Sequence, residues 1–132
     1  MKMIYKVWLD QGGKAFGDGP FALLKRVQHT ASLHEAAGQM GMSYSKAWRL
    51  IRTMEQRLEF PLIERQVGGR SGGGSWITAE GRDWLDRYER FRKDVERSLN
   101  RVYRKHFARP LGGPETRKRL SKKHTPERGG HV

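Results

Sequence analysis

Apolar residues recur at strand spacing near the start of this chain and at helical spacing through most of the rest. Over residues 2–9 they alternate. Met3, Tyr5, Val7 and Leu9 share one face, and Lys2, Ile4, Lys6 and Trp8 the other, which predicts an edge strand with one packed face. Gly12, Gly13, Gly17 and Gly19 then punctuate a loop whose Phe16 is expected to insert its ring into the core. Asp18 and Gly19 precede Pro20, which suits the first turn of a helix. That helix is expected over residues 20–29, burying Phe21, Leu24 and Val27, with Leu23 partly covered.

Residues 32–58 are the stretch around which the chain is organised. Ser32 can cap a short helix, with Glu35 three positions on completing a capping box. Ala36, Ala37 and Met40 form a stripe of mostly small residues that allows a second helix to approach. Gly41 stands where a left-handed residue ends a helix, Met42 fills the turn, and Ser43 is the next N-cap. Ala47, Leu50, Ile51, Met54 and Leu58 then repeat at helical spacing, while Tyr44, Ser45, Lys46, Arg49 and Arg52 fall on other faces. Two short helices about a tight turn, the second basic outside, form a helix-turn-helix with a recognition helix.

Pro61 ends that helix. Residues 62–67 and 75–78 read as two short strands about the run G-G-R-S-G-G-G, a β-hairpin that follows the helix-turn-helix as a wing. The same glycines do not make a phosphate-binding P-loop, because the lysine is missing and a strand follows. Thr78 is a good N-cap, and Glu80 and Asp83 favour the positive end of the next helix. That helix is expected over residues 79–107, roughly 40 Å long. Along it Trp84, Tyr88, Phe91, Val95, Leu99 and Val102 are spaced by four, three, four, four and three, close to the seam of a coiled coil. A helix of that length outreaches a small winged domain, so self-pairing in a two-fold dimer is expected; folding back on its own domain is the other arrangement.

Charge narrows the partner. Lys and Arg number 27 against 14 Asp and Glu, for a net +13, which favours polyanions. Residues 108–132 hold seven Lys/Arg and two Glu, a net +5, with few apolar residues, so a disordered basic tail is expected. Its Arg117-Lys118-Arg119 and Lys122-Lys123 would add salt-sensitive attraction to DNA. Cysteine is absent, which excludes disulfides and thiolate metal sites. His29, His34 and His106 lack partners at metal-ligand spacing, so no metal and no cofactor are expected. No nucleophile and base are brought together, so the chain does not read as an enzyme. No apolar run is long enough for a signal peptide or a membrane span. A cytoplasmic, nucleoid-associated protein with no membrane partner is the resulting expectation.

The segment M-S-Y-S-K-A-W-R-L-I-R-T-M-E-Q-R-L-E-F-P-L-I-E-R resembles the LysR-type winged helix-turn-helix, in which a short strand like Leu62-Ile63-Glu64-Arg65 follows the recognition helix. S-Y-S-K-A-W, the glycine wing and the step Ile77-Thr78-Ala79-Glu80-Gly81 are more closely similar to the DNA-binding domain of the ModE family of molybdate-responsive regulators. That resemblance covers roughly residues 3–105. It implies DNA binding, dimerisation through the long helix and a role in molybdenum-related regulation. In that family molybdate is held by separate C-terminal β domains. The segment after residue 107 is too short and too polar to build one, so molybdate is not expected to bind this chain alone, and no effector domain is expected.

The fold class expected is therefore mainly α with a small β wing: a winged helix-turn-helix domain over residues 1–107, ending in a long C-terminal dimerisation helix, then a tail over 108–132. The expected partners are double-stranded DNA and a second copy of the chain. DNA contacts are assigned to Ser43, Tyr44, Ser45, Lys46, Arg49, Arg52, Arg65 and Arg70. Arg49 and Arg52 have the reach for bidentate contacts to guanine, unless they pair with Glu55. Ser43 and Ser45 suit phosphate at a helix N-terminus, although Ser43 is equally a pure cap. Lys46 suits phosphate, Tyr44 either base or backbone, and Arg65 and Arg70 the wing's contact with DNA. Trp48 either stacks on sugar or packs against the wing or first helix. Dimerisation is assigned to Trp84, Tyr88, Phe91, Val95, Leu99 and Val102. A sequence-tolerant architectural nucleic-acid binder is the alternative.

Overall fold

A computed structural model describes residues 1–66 and 74–110. Eight elements follow in order: β1 (Trp8–Asp10), β2 (Lys14–Gly17), α1 (Asp18–Thr30), α2 (Leu33–Gln39), α3 (Tyr44–Leu58), β3 (Ile63–Gln66), β4 (Gly74–Ile77) and α4 (Ala79–Phe107). The fold is mainly α with a small β wing, as the sequence pattern predicts. The described residues divide into two units at Asp94/Val95, within α4.

The first strand is shorter than expected and has a partner. Residues 3, 5, 7 and 9 are the more covered face, in line with the alternation, yet only Trp8–Asp10 enters a ladder. It pairs antiparallel with β2, Leu9 opposite Phe16, and a bulge separates Leu9 from Asp10. Residues 12–19, expected as a loop, thus supply a strand and the start of α1. Asp10 and the glycine pair close the turn: Gly13 N–H donates to Asp10 Oδ1 at 3.2 Å, and Gly12 and Gly13 take φ of +67° and +133°. Those angles suit glycine alone without strain.

The helix-turn-helix forms around one core. Phe16, Leu23, Leu24, Val27, Leu33, Ala36, Ala37, Ala47, Ile51 and Met54 are buried together with Leu62, Ile77, Leu85 and Tyr88. Leu23 is fully buried and Phe21 only partly, the reverse of the expectation for α1. Ser32 Oγ accepts from Glu35 N–H at 3.0 Å, and Ser43 Oγ from Lys46 N–H at 3.1 Å. The capping box at Ser32 is half formed, because the Ser32 N–H donates to Thr30 Oγ1 rather than to the Glu35 carboxylate. At the turn, Met42 N–H reaches Ala37 O and Gly41 N–H reaches Gly38 O, with Gly41 at φ +65°. This is a Schellman closure, which satisfies the last carbonyls of α2 and fixes the direction of α3.

The start of α4 locks onto the same core. Thr78 Oγ1 donates to Pro61 O at 2.6 Å and accepts from Gly81 N–H at 2.9 Å. Gly81 permits the close approach, since a Cβ there would lie 2.7 Å from Leu62 O. Further along, Asp18 accepts from Tyr88 Oη at 2.6 Å and forms a two-point pair with Arg92, Nε to Oδ1 at 2.7 Å and Nη2 to Oδ2 at 2.9 Å. The Arg92 hydrogen bond holds the Asp18 carboxyl below the usual carboxylate range, against a smaller opposing push from burial. Burial, then the bond to Asp18, pushes the Tyr88 hydroxyl up.

These contacts turn part of the expected dimer seam onto the chain's own core. Tyr88 is 2% exposed and packs edge-on to Phe16, with ring centroids 4.9 Å apart; Trp84 packs on Phe16 and Phe60. Tyr88 belongs to the chain's own core and the half-buried Trp84 packs against it, because Gly81, Leu85 and Tyr88, at helical spacing, turn that side of α4 inward. Phe91 stays exposed, and in the second unit Val95 and Leu99 are half-buried and Val102 is exposed.

Candidate nucleic-acid interface

Helix α3 presents three surfaces set by its 3.6-residue period. Ala47, Ile51 and Met54 face the core. Opposite them, Ser45, Arg49, Arg52 and Gln56 are all exposed, spaced by four, three and four, and form one outward ridge. Arg49 Nε leans back on Ser45 O at 3.4 Å, a weak contact that leaves the guanidinium edge free. Neither Arg49 nor Arg52 has a carboxylate partner among the described residues. Glu55, the expected competitor, is engaged elsewhere: its Oε2 accepts Leu62 N–H at 2.7 Å and Ile63 N–H at 3.2 Å, tying the entry of β3 to α3.

One flank of the ridge joins the wing. Strands β3 and β4 pair antiparallel, with Arg65 opposite Ser75, and Ser75 N–H donates to Ala31 O at 3.0 Å, fixing the hairpin to the end of α1. Arg65 leans over two aromatic faces, 5.0 Å from the Trp48 ring centroid and 5.9 Å from that of Tyr44. Arg52 covers Trp48 as well, at 4.9 Å. Trp48 is therefore shared by two guanidiniums, and it packs on the wing rather than standing free. Each such contact is worth roughly 0.5–1 kcal/mol at an exposed site, enough to bias where the cations point. Tyr44 and Arg65 also border a polar recess of about 180 Å³ with Ser32, His34 and Gln66.

The other flank faces the β1–β2 hairpin. A groove of about 600 Å³ runs there between Lys46, Arg49, Leu50, Thr53, Met54 and Arg57 of α3 and Lys14, Ala15 and Pro20. Arg57 Nη1 donates to Lys14 O, and a Cβ on Gly13 would lie 2.6 Å from the Arg57 guanidinium carbon. Gly13 thus makes room for the arginine as well as for the turn.

Of the sequence-predicted DNA contacts, Tyr44, Ser45, Lys46, Arg49, Arg52 and Arg65 lie on or beside this ridge. Ser43 is occupied as the α3 cap. Arg70 lies outside the described residues, as do the rest of 67–73 and the tail from 111 onward. Sequence reasoning missed three residues here and gave a fourth, Glu55, a different partner. Gln56 continues the spacing of Arg49 and Arg52 and was legible from it; Lys14, Arg57 and Glu55 gain their places only through contacts between distant segments. Among the described residues no group of three or more His, Asp or Glu is gathered as for a metal, and no helix is long and apolar enough to cross a membrane.

Comparison with known proteins agrees with this geometry. A ModE transcriptional regulator of Yersinia pestis is 41% identical over 68 residues, covering 52% of this chain and 26% of its own. The molybdenum transport protein ModE of Azotobacter vinelandii is 33% identical over 90 residues, covering 68% and 33%. The molybdenum-pterin-binding protein MopB of Rhodobacter capsulatus is 31% identical over 94 residues, covering 71% and 35%. The chain thus spans about a quarter to a third of the length of these relatives. The fold is that of the DNA-binding domain in the crystal structure of a CbnR DNA-binding domain–DNA complex, with a TM-score of 0.52 at 24% identity over 69% of this chain and 97% of that one. Residues 21–82, from within α1 to the first turn of α4, match the family of bacterial regulatory helix-turn-helix proteins of lysR type.

Proposed function

We propose that this chain is a sequence-specific regulator of transcription that binds double-stranded DNA as a homodimer. The observation that carries the reading is the outward ridge of α3, where Arg49 and Arg52 stand clear of any carboxylate among the described residues. Guanidiniums so placed suit bidentate contacts to guanine O6 and N7 in a major groove, and Gln56 suits adenine. Arg65 serves the adjacent backbone from the wing, and Lys46 and Ser45 the phosphates near the start of α3. A second copy meets the first through Phe91, Val95, Leu99 and Val102, so that two recognition helices meet half-sites one turn, roughly 34 Å, or a multiple apart. ModE relatives described as transcriptional regulators support the regulatory role.

Selection of bound duplexes from a random pool tests this reading. An enriched inverted repeat is expected, with Arg52→Ala weakening its binding by about 1–3 kcal/mol and relaxing the preference at one position. A pool that stays random after repeated rounds overturns it. The net +13 favours a second reading, a sequence-tolerant architectural binder. Competition with excess random duplex at two salt concentrations separates the two, since a regulator keeps its preferred duplex and an architectural binder does not.

A further inference from the structure

The groove between α3 and the β1–β2 hairpin is two-sided in its chemistry. Lys14, Lys46 and Arg57 line it together with the apolar Leu50, Met54 and Pro20. A sugar–phosphate strand has the complementary make-up: anionic phosphates at regular intervals and deoxyribose faces rich in C–H between them. An apolar small-molecule pocket would instead bury few cations. Two further observations favour a polyanion. Among the described residues none of the three cations has a carboxylate partner. In addition, Arg57 is held by Lys14 O and by the space that Gly13 leaves, with Nε and Nη2 still available to donate. A fixed guanidinium loses little freedom when it takes up a phosphate.

We propose that the β1–β2 hairpin is a second backbone clamp, in which Lys14 and Arg57 grip one phosphodiester strand while the β3–β4 wing grips the strand across the major groove. The assignment rests on the proposed binding of double-stranded DNA. It extends the interface N-terminal to residues 21–82, the segment that matches the helix-turn-helix family. A helix in a major groove has a phosphate strand on each side, and α3 is bordered by one hairpin on each flank.

The test uses the full 132-residue chain and measures affinity for a selected duplex and for random duplex between 50 and 200 mM salt. Loss of one phosphate neutralisation makes the slope of log affinity against log salt shallower by about 0.9. Lys14→Gln and Arg57→Gln are therefore each expected to lose about 3.5-fold less affinity than the wild type across that fourfold salt range. Both duplexes should be affected alike, leaving the preference between them intact. Lys14 is exposed and its backbone keeps its ladder position, so the first variant folds. A wild-type slope in both variants overturns the clamp, as does a change confined to the selected duplex, which would make these residues base readers. If wild type shows no preference between duplexes but the slopes shift as stated, the clamp stands and sequence-specific regulation falls. If wild type binds no duplex at all, both fall.

Discussion

Two hairpins border α3, and they hold their arginines by different means, although Lys14 on the β1–β2 side also lies over an aromatic face, that of Trp8. On the β3–β4 side, Arg65 rests on the faces of Tyr44 and Trp48, with Arg52 sharing the latter ring. On the β1–β2 side, Arg57 is fixed by a backbone carbonyl and by the gap at Gly13. An aromatic face fixes the height of a guanidinium but lets it slide and rotate, whereas a carbonyl at a tight turn sets one direction. In the proposed complex the first arrangement suits a wing that adjusts to DNA. The second suits a rigid post that sets the register of α3. Arg52 ties the first arrangement to the outward ridge, whereas Arg57 and Lys14 can be changed without touching Ser45, Arg49, Arg52 or Gln56.

The largest effect is expected at Glu55, which secures the wing side. Removing its carboxylate leaves the Leu62 and Ile63 N–H groups without a partner beside the core, at a cost of about 1–3 kcal/mol for each such group that stays buried. Glu55→Ala is expected to lower unfolding stability by about 2–3 kcal/mol in urea titration, and Glu55→Gln by less, since its amide oxygen still accepts. Equal stability of all three proteins would show that β3 is held by its own ladder and by Leu62 alone.

Next in size is Trp48, where packing and cation orientation meet. Trp48→Phe keeps a ring under Arg52 and Arg65, and Trp48→Leu keeps only bulk. DNA affinity is expected to fall in the order Trp, Phe, Leu. The step from Phe to Leu should cost about 1 kcal/mol, mostly through Arg52, since Arg65 keeps the Tyr44 ring beneath it. The Phe and Leu proteins should differ more in affinity than in melting temperature. If the two properties fall in proportion, the ring acts through stability and the stacking has no part in binding.

How much of this was legible in the sequence follows from the range of the interactions. The caps at Ser32 and Ser43, the Gly41 turn and the buried stripe of α3 are local, set by residues within four positions of one another, and they appear where the pattern predicts. The β1–β2 hairpin was half legible: the alternation over residues 3–9 marked the covered face, but the four glycines disguised the return strand. Tyr88 and Trp84 read as seam because their spacing cannot tell a neighbour's core from the chain's own. Only Gly81 hinted otherwise, by marking where α4 lies against a backbone carbonyl. The pairing of Asp18 with Arg92, and of Arg57 with Lys14 O, spans 74 and 43 positions, and no local pattern encodes either.

The β1–β2 side gives smaller effects on stability. Arg57→Gln removes one exposed hydrogen bond from the turn and is expected to lower stability by about 0.5–1 kcal/mol. Its binding defect should therefore exceed its folding defect, the reverse of the expectation for Glu55→Ala. A loss of about 2 kcal/mol or more in denaturant titration would instead make the arginine a structural tie, on a par with Glu55.

The smallest effect belongs to Asp18, the residue that follows β2 and joins this side to α4. Its carboxyl titrates below the ordinary 3.8, chiefly because Arg92 donates to it. A group whose folded-state pKa is depressed contributes stability that is complete above its unfolded value and disappears as pH falls through the folded one. The contribution is therefore full from neutral pH down to about 4 and is lost below that. The side chain is 57% exposed, so solvent screening holds the effect to under about 1 kcal/mol, and added salt shrinks it further. Asp18→Asn should accordingly be slightly less stable than wild type at neutral pH and low salt, with the two curves converging below about pH 4. Curves that run parallel down to about pH 2 would mean that the neutral amide satisfies Tyr88 and Arg92 as well as the carboxylate does. In that case α4 is held here by apolar packing, with Tyr88 on Phe16 of β2 and Phe21 of α1.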